Sequence, residues 1–290
     1  MLAHDQPAHL ARLIEALAGG ATRFFVHVDA KVDVAPFRTL IGARPDVELV
    51  ARRVAVHWGG FSIVRATLEL LAASAGRFTR HCLLSGADYP IKPRADVLAA
   101  LEDEHVEWMS VGRMLGPDDP QRAYVEHWHW NDWPLLNPRG RPPGRLARRA
   151  RRVLRPLAER LGSGLPPRRF PGGLVPYKGS QWWALSDACV QWMREYLRAH
   201  PEYERFHRHV HCPDEIFFHS LVQASPFASR LGGRPLHCIE WQDARPRVLG
   251  DDDFAALTAS PALFARKFAE GRSRGVLARL DDVLGLGSVE

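Results

Sequence analysis

The stretch FFVHVD, residues 24–29, decides the fold of this chain. Its apolar run is short enough for a buried strand, and it ends at the carboxylate of Asp29. A helical pattern precedes it in residues 7–18, where apolar positions recur at Leu10, Leu13, Ile14 and Leu17. A helix followed directly by a buried strand is typical of α/β proteins.

The same alternation continues through the first half. Strands are predicted at residues 47–50, 81–84 and 107–111, and helices at 62–73, with Ser62 as N-cap, and at 96–101. This order predicts an α/β fold with a mostly parallel central sheet and helices on both faces. Ligands bind beyond the carboxyl ends of such strands, which makes Asp29 and Asp88 site candidates by position.

The second half is less regular. Its pattern predicts strands at 180–185 and 237–241, helices at 187–197, 215–223 and 253–257, and an extended segment at 245–249. Met1 to His4 are predicted to be the last residues of a first strand whose beginning is missing, or a stub with which the sheet starts.

Composition limits the class of protein. The chain has 290 residues, 46% of them hydrophobic, which suits one large domain or two small ones. It contains no apolar run of about 20 residues, so we expect no membrane-spanning helix. Its four cysteines are scattered, and no secretory signal is visible, which predicts free thiols in a reducing, cytoplasmic compartment.

The net charge of +6 is concentrated in one region. Residues 138–169 hold eleven arginines, and we interpret residues 138–172 as an Arg/Pro-rich insertion within a single domain spanning 1–290. Part of it could lie as a basic helix on an anionic membrane, at the inner face of the cell membrane. Solvated surface charge is the alternative. Nucleic acid is not expected as a partner, because aromatic residues do not alternate with these arginines.

The stretch PDEIFFHSL, residues 213–221, combines a helix start with a carboxylate. Pro and Asp favour helix starts because the first N–H groups have no partner inside the helix. Glu215 falls in the predicted first turn, where the helix N-terminus favours an ionised carboxylate. A fixed, ionised carboxylate suits a general base, although acidic first turns are often only caps.

A zinc site is an alternative function for the neighbouring His207-x-His209-x-His211-Cys212 segment. Alternate residues of a strand share a face, so three imidazoles could bind one ion. No second ligand group with zinc spacing follows, which makes this alternative weak.

Six blocks in order carry a resemblance to a known family. They are FVHVDAK (25–31), VHWGGFS (56–62), LLSGADYPIK (83–92), GSQWWALS (179–186), PDEIFF (213–218) and FARKF (264–268). Together they resemble the core-2/I-branching glycosyltransferases, which include β-1,6-N-acetylglucosaminyltransferases and peptide O-xylosyltransferases. Eukaryotic relatives are Golgi-anchored and rich in disulfides, and this chain lacks both features, so we expect a bacterial member.

The resemblance implies a GT-A-like nucleotide-binding sandwich. It implies transfer of N-acetylglucosamine or xylose from a UDP-sugar to a hydroxyl of a glycan or glycoconjugate, with inversion and without a divalent metal or other cofactor. The segment 85–88 agrees, because it offers a single carboxylate, which is a poor magnesium or manganese site. The alternative is a non-catalytic relative that binds sugar nucleotides or glycans at a membrane surface.

The resemblance also implies residue roles. Glu215 matches the catalytic base, and Lys267 matches the lysine that neutralises the leaving diphosphate, with Arg245 or Arg247 as its partner. The donor-binding candidates are His4, Asp29 and Asp88, the last of which could instead hold its loop in shape. The candidates for contacts to acceptor or sugar are Trp58, Ser180, Gln181, Trp182, Trp183 and Trp241, although one of the paired tryptophans could belong to the core.

Overall fold

The computed structural model describes residues 1–20, 22–113, 119–140, 144–232, 235–243 and 245–286. Its strands are β1 Leu2–Ala3, β2 Phe24–Val28, β3 Val47–Leu49, β4 Arg80–Cys82, β5 Tyr89–Pro90, β6 Glu107–Arg113, β7 Tyr177–Ser186, β8 Leu231–Gly232, β9 His237–Ile239, β10 Trp241–Gln242, β11 Arg245–Pro246 and β12 Phe264–Arg266. Its helices are α1 Pro7–Leu17, α2 Ala35–Ile41, α3 Ser62–Ser74, α4 Arg94–Glu102, α5 Ala123–Glu126, α6 Arg145–Gly164, α7 Asp187–Ala199, α8 Pro201–His207, α9 Phe217–Gln223, α10 Phe254–Ala259 and α11 Arg274–Leu284.

The main sheet is parallel on one side and mixed on the other. β1 pairs with β2, and β2 with β3, all in parallel. Leu2 bridges Ser85, just beyond β4, and its N–H donates to the Leu84 carbonyl at 2.9 Å. β7 is antiparallel to both β4 and β6, and β6 is parallel to β8. The strand order is therefore β3-β2-β1-β4-β7-β6-β8, with β7 as the reversed strand.

Helices cover both faces of this sheet, as the sequence predicts. Successive side chains of β2 point to opposite faces. Phe24, Val26 and Val28 join a core cluster with residues of α1, whereas Phe25 joins a second cluster with residues of α3. The apolar period of the strand thus divides the core into two layers.

A smaller sheet in the order β5-β12-β9 lies after the Ser85–Asp88 turn. β12 pairs with β5 in antiparallel and with β9 in parallel orientation. This pairing brings the FARKF block beside the segment that follows β4, although the two are far apart in sequence. The strand predicted at 237–241 is interrupted, because Trp241 begins a separate antiparallel pair, β10 with β11.

One predicted N-cap and one predicted helix start are corrected. α3 begins at Ser62, with Phe61 as the preceding cap residue, and the Ser62 hydroxyl accepts the His57 N–H at 2.8 Å. The predicted 215–223 helix begins at Phe217 instead. Glu215 ends a separate 3-10 turn, Pro213–Glu215, which follows Cys212 in the left-handed region with φ 49°. Cys212 is left-handed, and the turn that holds Glu215 is a 3-10 turn. The Glu215 side chain therefore leaves the backbone in a different direction from a side chain in the first turn of an α-helix.

The Arg-rich segment contains the 20-residue helix α6. Within the described ranges, no helix is both long enough and apolar enough to span a bilayer. All four cysteines are free thiols.

Gly179 allows β6 and β7 to approach closely where their register shifts between Met109 and Val111. A Cβ at this position would lie 1.8 Å from the Ser110 carbonyl oxygen and 2.7 Å from the His219 ring. Gly179→Ala should therefore lower the free energy of unfolding by about 3 kcal/mol, because a strand backbone has to move. Urea denaturation followed by far-UV circular dichroism measures this change.

Gly164→Ala is the matched control, because its Cβ would meet no described atom within 4 Å. Equal unfolding midpoints for the two variants would show that the close approach at Gly179 does not limit stability.

Candidate functional site

A cleft of about 1660 Å³ opens beyond the carboxyl ends of β1 and β2 and runs along β7. It collects most of the residues that the sequence singled out. Those lining it are His4, Asp29, Trp58, Ser180, Gln181, Trp182, Glu215, Trp241, Arg245 and Lys267. Residues from seven separate segments of the chain thus share one cavity.

At one end of the cleft, Glu215 forms an ion pair with Lys178. The Lys178 Nζ lies 3.1 Å from Oε2 of Glu215, and both side chains are partly exposed. The ammonium also lies 5.5 Å from the centre of the Tyr124 ring. Sequence reasoning missed Lys178, although the two-residue period of β7 places it on the same face as Ser180 and Trp182.

The turn that carries Glu215 is tied to the Trp58 loop. The Cys212 N–H donates to the Gly59 carbonyl at 3.0 Å. Trp58 itself is 38% exposed, and the Arg139 guanidinium stacks 3.5 Å from the centre of its ring. Burial, followed by the nearby charge of Arg245, lowers the pKa of Arg139. Trp58 and Arg139 thus form a wall of the cleft that combines an aromatic face with a cationic group. Arg139 was not among the predicted site residues.

Asp214, next to Glu215, is a second carboxyl at the cleft. It is partly buried, and its Oδ1 is inaccessible to solvent with no hydrogen-bond partner among the described residues. Burial, together with the negative charge of Glu215, raises the pKa of Asp214 to about 7. The two adjacent carboxyls therefore differ in environment: Glu215 is paired with a lysine, whereas Asp214 has one buried oxygen without a partner and is about half protonated near neutral pH.

Further along β7, two cationic residues lie near Trp182. The Arg266 guanidinium lies 4.3 Å from the centre of the Trp182 ring, and Lys267 lines the cleft beside it. Trp182 is four positions after Lys178, a distance of about 13 Å along a strand. The carboxylate of Glu215 and the Arg266–Lys267 pair are thus held by the same strand at two ends of one cleft.

Asp29 lines the cleft directly after the end of β2. Its carboxylate accepts the backbone N–H of Lys31 at 2.9 Å and that of Val56 at 3.3 Å, and the Lys31 Nζ lies 3.4 Å away. His4 is exposed and lies 3.6 Å from Asp5. Both residues follow parallel strands, which is where the sequence analysis placed them.

The family comparison matches residues 1–257 to the model described as Core-2/I-Branching enzyme. The chain belongs to the Core-2/I-branching family. The GT-A-like α/β fold that the resemblance implied is therefore confirmed, with the qualification that β7 makes the central sheet only partly parallel.

Relatives of this Core-2/I-branching chain carry the name xylosyltransferase. It is 24% identical to xylosyltransferase 2 of Bos taurus over 302 residues, which cover 94% of this chain and 31% of that protein. It is also 24% identical to xylosyltransferase 1 of Homo sapiens over 306 residues, covering 94% of this chain and 28% of that protein. The chain thus spans about a third of the length of these relatives.

Asp88 lies behind the cleft surface. It is fully buried and accepts the Ser85 N–H at 2.7 Å, while His237 Nε2 lies 3.0 Å and Arg266 lies 3.3 Å away. Burial opposes its ionisation, but the charges of Arg266 and His237 and the hydrogen bonds lower the pKa of Asp88. Of the two roles considered, this geometry favours the one that holds the loop in shape, because the buried carboxylate does not line the cleft.

Two further predicted contacts are corrected. Trp183 is 1% exposed and packs on Phe218, because alternate residues of β7 face opposite sides. Arg247 donates to both carboxylate oxygens of Asp253, at 3.0 and 2.5 Å, and lines a separate depression. Arg266, beside Lys267, was missed because its position depends on the β12 pairing.

The zinc alternative does not fit the histidine geometry. Nδ1 of His207 is within 2.8 Å of the Tyr203 carbonyl, Nδ1 of His209 is near the His129 carbonyl, and Nδ1 of His211 contacts the Asn131 amide. The imidazoles point to separate partners because His207 ends α8 and is not on a strand. In the part of the chain that the structure describes, no group of three metal-ligating side chains converges.

Asp214→Asn should remove a pH dependence of stability. The pKa of Asp214 is higher in the folded chain, at about 7, than its ordinary value of 3.8. The unfolded chain loses this proton first, so the group destabilises the fold progressively as pH rises from about 4 to about 7. We expect the loss of stability over this window to be smaller in the variant, measured by urea denaturation at successive pH values. Parallel curves for the two proteins would contradict the assignment.

Proposed function

We propose that this chain is a glycosyltransferase that moves a sugar from a UDP-sugar to a hydroxyl of a glycan or glycoconjugate. The observation that carries the proposal is that Glu215 and Lys267 line one cleft. The reaction needs a base on the acceptor side of the anomeric carbon and positive charge on the leaving-group side.

Glu215 is the proposed general base. It accepts the proton of the acceptor hydroxyl as that oxygen bonds to the anomeric carbon. Lys178, 3.1 Å from Oε2, holds the carboxylate in place. Trp58 and the stacked Arg139 offer an aromatic and polar wall on which the acceptor can lie, because C–H groups of sugars pack on aromatic faces.

Lys267 and Arg266 are the proposed electrostatic partners of the leaving UDP. As the bond from the anomeric carbon to the diphosphate oxygen breaks, the electron pair leaves with UDP. Arg245, which also lines the cleft, can add to the same field, whereas Arg247 is occupied by Asp253. Fixed cations at a developing negative charge contribute a few kcal/mol each to the transition state. A single displacement of this kind inverts the anomeric configuration and needs no divalent metal.

The donor is proposed to be UDP-xylose or UDP-N-acetylglucosamine. The names of the similar proteins favour xylose as the first sugar to test. A screen of UDP-sugars by UDP release and by thermal shift separates the two. Stabilisation by a UDP-sugar without turnover would instead favour a non-catalytic sugar-nucleotide-binding protein.

Glu215→Gln should abolish transfer while leaving UDP affinity nearly unchanged. The amide keeps the size of the side chain but cannot accept the proton, so kcat should fall by at least about 100-fold. UDP release gives the rate, and isothermal titration gives the affinity.

Glu195→Gln on α7 is the matched control, because this exposed glutamate lies outside the cleft. If the Glu215 variant turned over as fast as the control, Glu215 would have no role as a base.

Transfer should persist in EDTA, because side-chain cations are proposed to replace the metal. In the same assay, Lys267→Ala should lower kcat by roughly 100-fold, which corresponds to about 3 kcal/mol of transition-state stabilisation. Activity that disappears in EDTA and returns with manganese would refute the metal-free mechanism.

A further inference from the structure

Helix α6 exposes an apolar stripe that the proposed reaction does not use. Leu146 is 81% exposed, Val153 68%, Leu157 61% and Leu161 56%. Spacings of seven, four and four residues place these side chains on one face of a helix. A contiguous apolar patch that is exposed to water normally marks an interaction site.

The opposite face of α6 is the one that docks on the protein. Arg151 donates to the carbonyls of Asn137 and Pro138 at 3.0 and 2.8 Å. Gly162 is buried, and its carbonyl accepts the Trp128 N–H at 3.2 Å. At 3.6 residues per turn, Arg151 and Gly162 lie close together on the circumference, turned away from the exposed stripe. The described residues therefore leave the stripe uncovered.

Positive charge borders the stripe. Arg145, Arg149, Arg152 and Arg160 are all exposed and fall in the sector of the helix next to it. The helix has one acidic residue, Glu159, and this is paired with Arg155 at 2.8 Å. An apolar face beside a cationic face, on a helix of 20 residues with seven arginines, cannot cross a bilayer but suits its anionic interface.

We propose that α6 lies in the plane of an anionic lipid bilayer, with Leu146, Val153, Leu157 and Leu161 inserted below the headgroups. The bordering arginines then pair with lipid phosphates. The charge pattern favours a lipid surface over a second copy of the chain, because a second copy would bring the same arginines together and they would repel one another. Nucleic acid would engage the arginines but leave the leucines in water.

Docked α6 is linked to the cleft by a short chain of contacts. Arg151 lines the cleft and holds the Asn137 carbonyl, and the Asn137 side-chain amide donates to the Trp58 carbonyl at 2.8 Å. A membrane-bound α6 therefore holds the Trp58 wall close to the bilayer. If the proposed transfer is correct, this placement favours an acceptor that is itself anchored in the membrane.

Co-sedimentation with vesicles tests the proposal without requiring turnover, so its outcome is independent of the proposed reaction. The full chain should sediment with phosphatidylcholine vesicles containing about one third phosphatidylglycerol, an anionic lipid, and much less with pure phosphatidylcholine. Leu157→Glu should lower the partition coefficient at least about tenfold, because an inserted side chain becomes charged. Arg149→Gln should lower it by about fivefold, and high salt should weaken binding further.

Leu40→Glu is the matched control, because Leu40 is 47% exposed on α2, away from the Arg-rich segment. It should bind vesicles as the unmodified chain does. Circular dichroism checks that every variant is folded.

Three outcomes would overturn the proposal. The first is a chain that stays in the supernatant with anionic vesicles. The second is equal binding by Leu157→Glu and Leu40→Glu, which would show that the stripe is not inserted. The third is a dimer in sedimentation velocity that Leu157→Glu dissociates, which would assign the stripe to a second copy of the chain.

Discussion

The arrangement of this protein depends on the reversed strand β7, which contributes to both the cleft and the core. Its residues 178–182 line the cleft. Trp182 also joins Trp183 and Leu185 in the second core cluster. β7 lies between β4 and β6 in the sheet and is antiparallel to both. The same strand can therefore anchor the core and space the two charged ends of the cleft.

Two carboxyls near the cleft, Asp88 and Asp214, have pKa values shifted in opposite directions. Asp88 remains ionised because Arg266, His237 and the Ser85 hydrogen bonds surround it. At Asp214, burial and the negative charge of Glu215 outweigh the positive charge of Lys178 and raise the pKa to about 7. Burying a charge is costly unless it is paired, which explains why the pKa of one carboxyl is lowered and that of the other is raised. The Asp88 network also fixes Arg266, and with it the position of Lys267 at the cleft.

The Arg-rich segment is attached to this framework through main-chain carbonyls. Arg151 and Arg155 both reach the carbonyl of Pro138, so part of the positive charge holds the helix in place. The remaining arginines and the apolar stripe are left at the surface. One segment thus serves two purposes: its docked face supports the Trp58 wall, and its outer face is available to a partner.

The sequence by itself determined the order of the principal strands and helices, and the family to which the chain belongs. The spacing of apolar residues predicted β2 with the bounds that the structure has, and it predicted the ends of α1 and α3 to within one residue. The ordered blocks brought Glu215 and Lys267 forward as candidates, since local residue types carry that information. A basic helix within the Arg-rich segment was expected too, but which of its faces docks was not, because docking depends on the Asn137 and Pro138 carbonyls.

Only the tertiary structure decided which charges meet. Lys178 and Glu215 are 37 positions apart in the sequence, and Asp88 and Arg266 are 178 apart, so no local pattern predicts either pair. The same holds for Arg266, whose position over the Trp182 ring depends on the pairing of β12. The chemistry of each side chain follows from the sequence. Burial and ion pairing depend on which strands become neighbours, and the assembly of the sheet decides this.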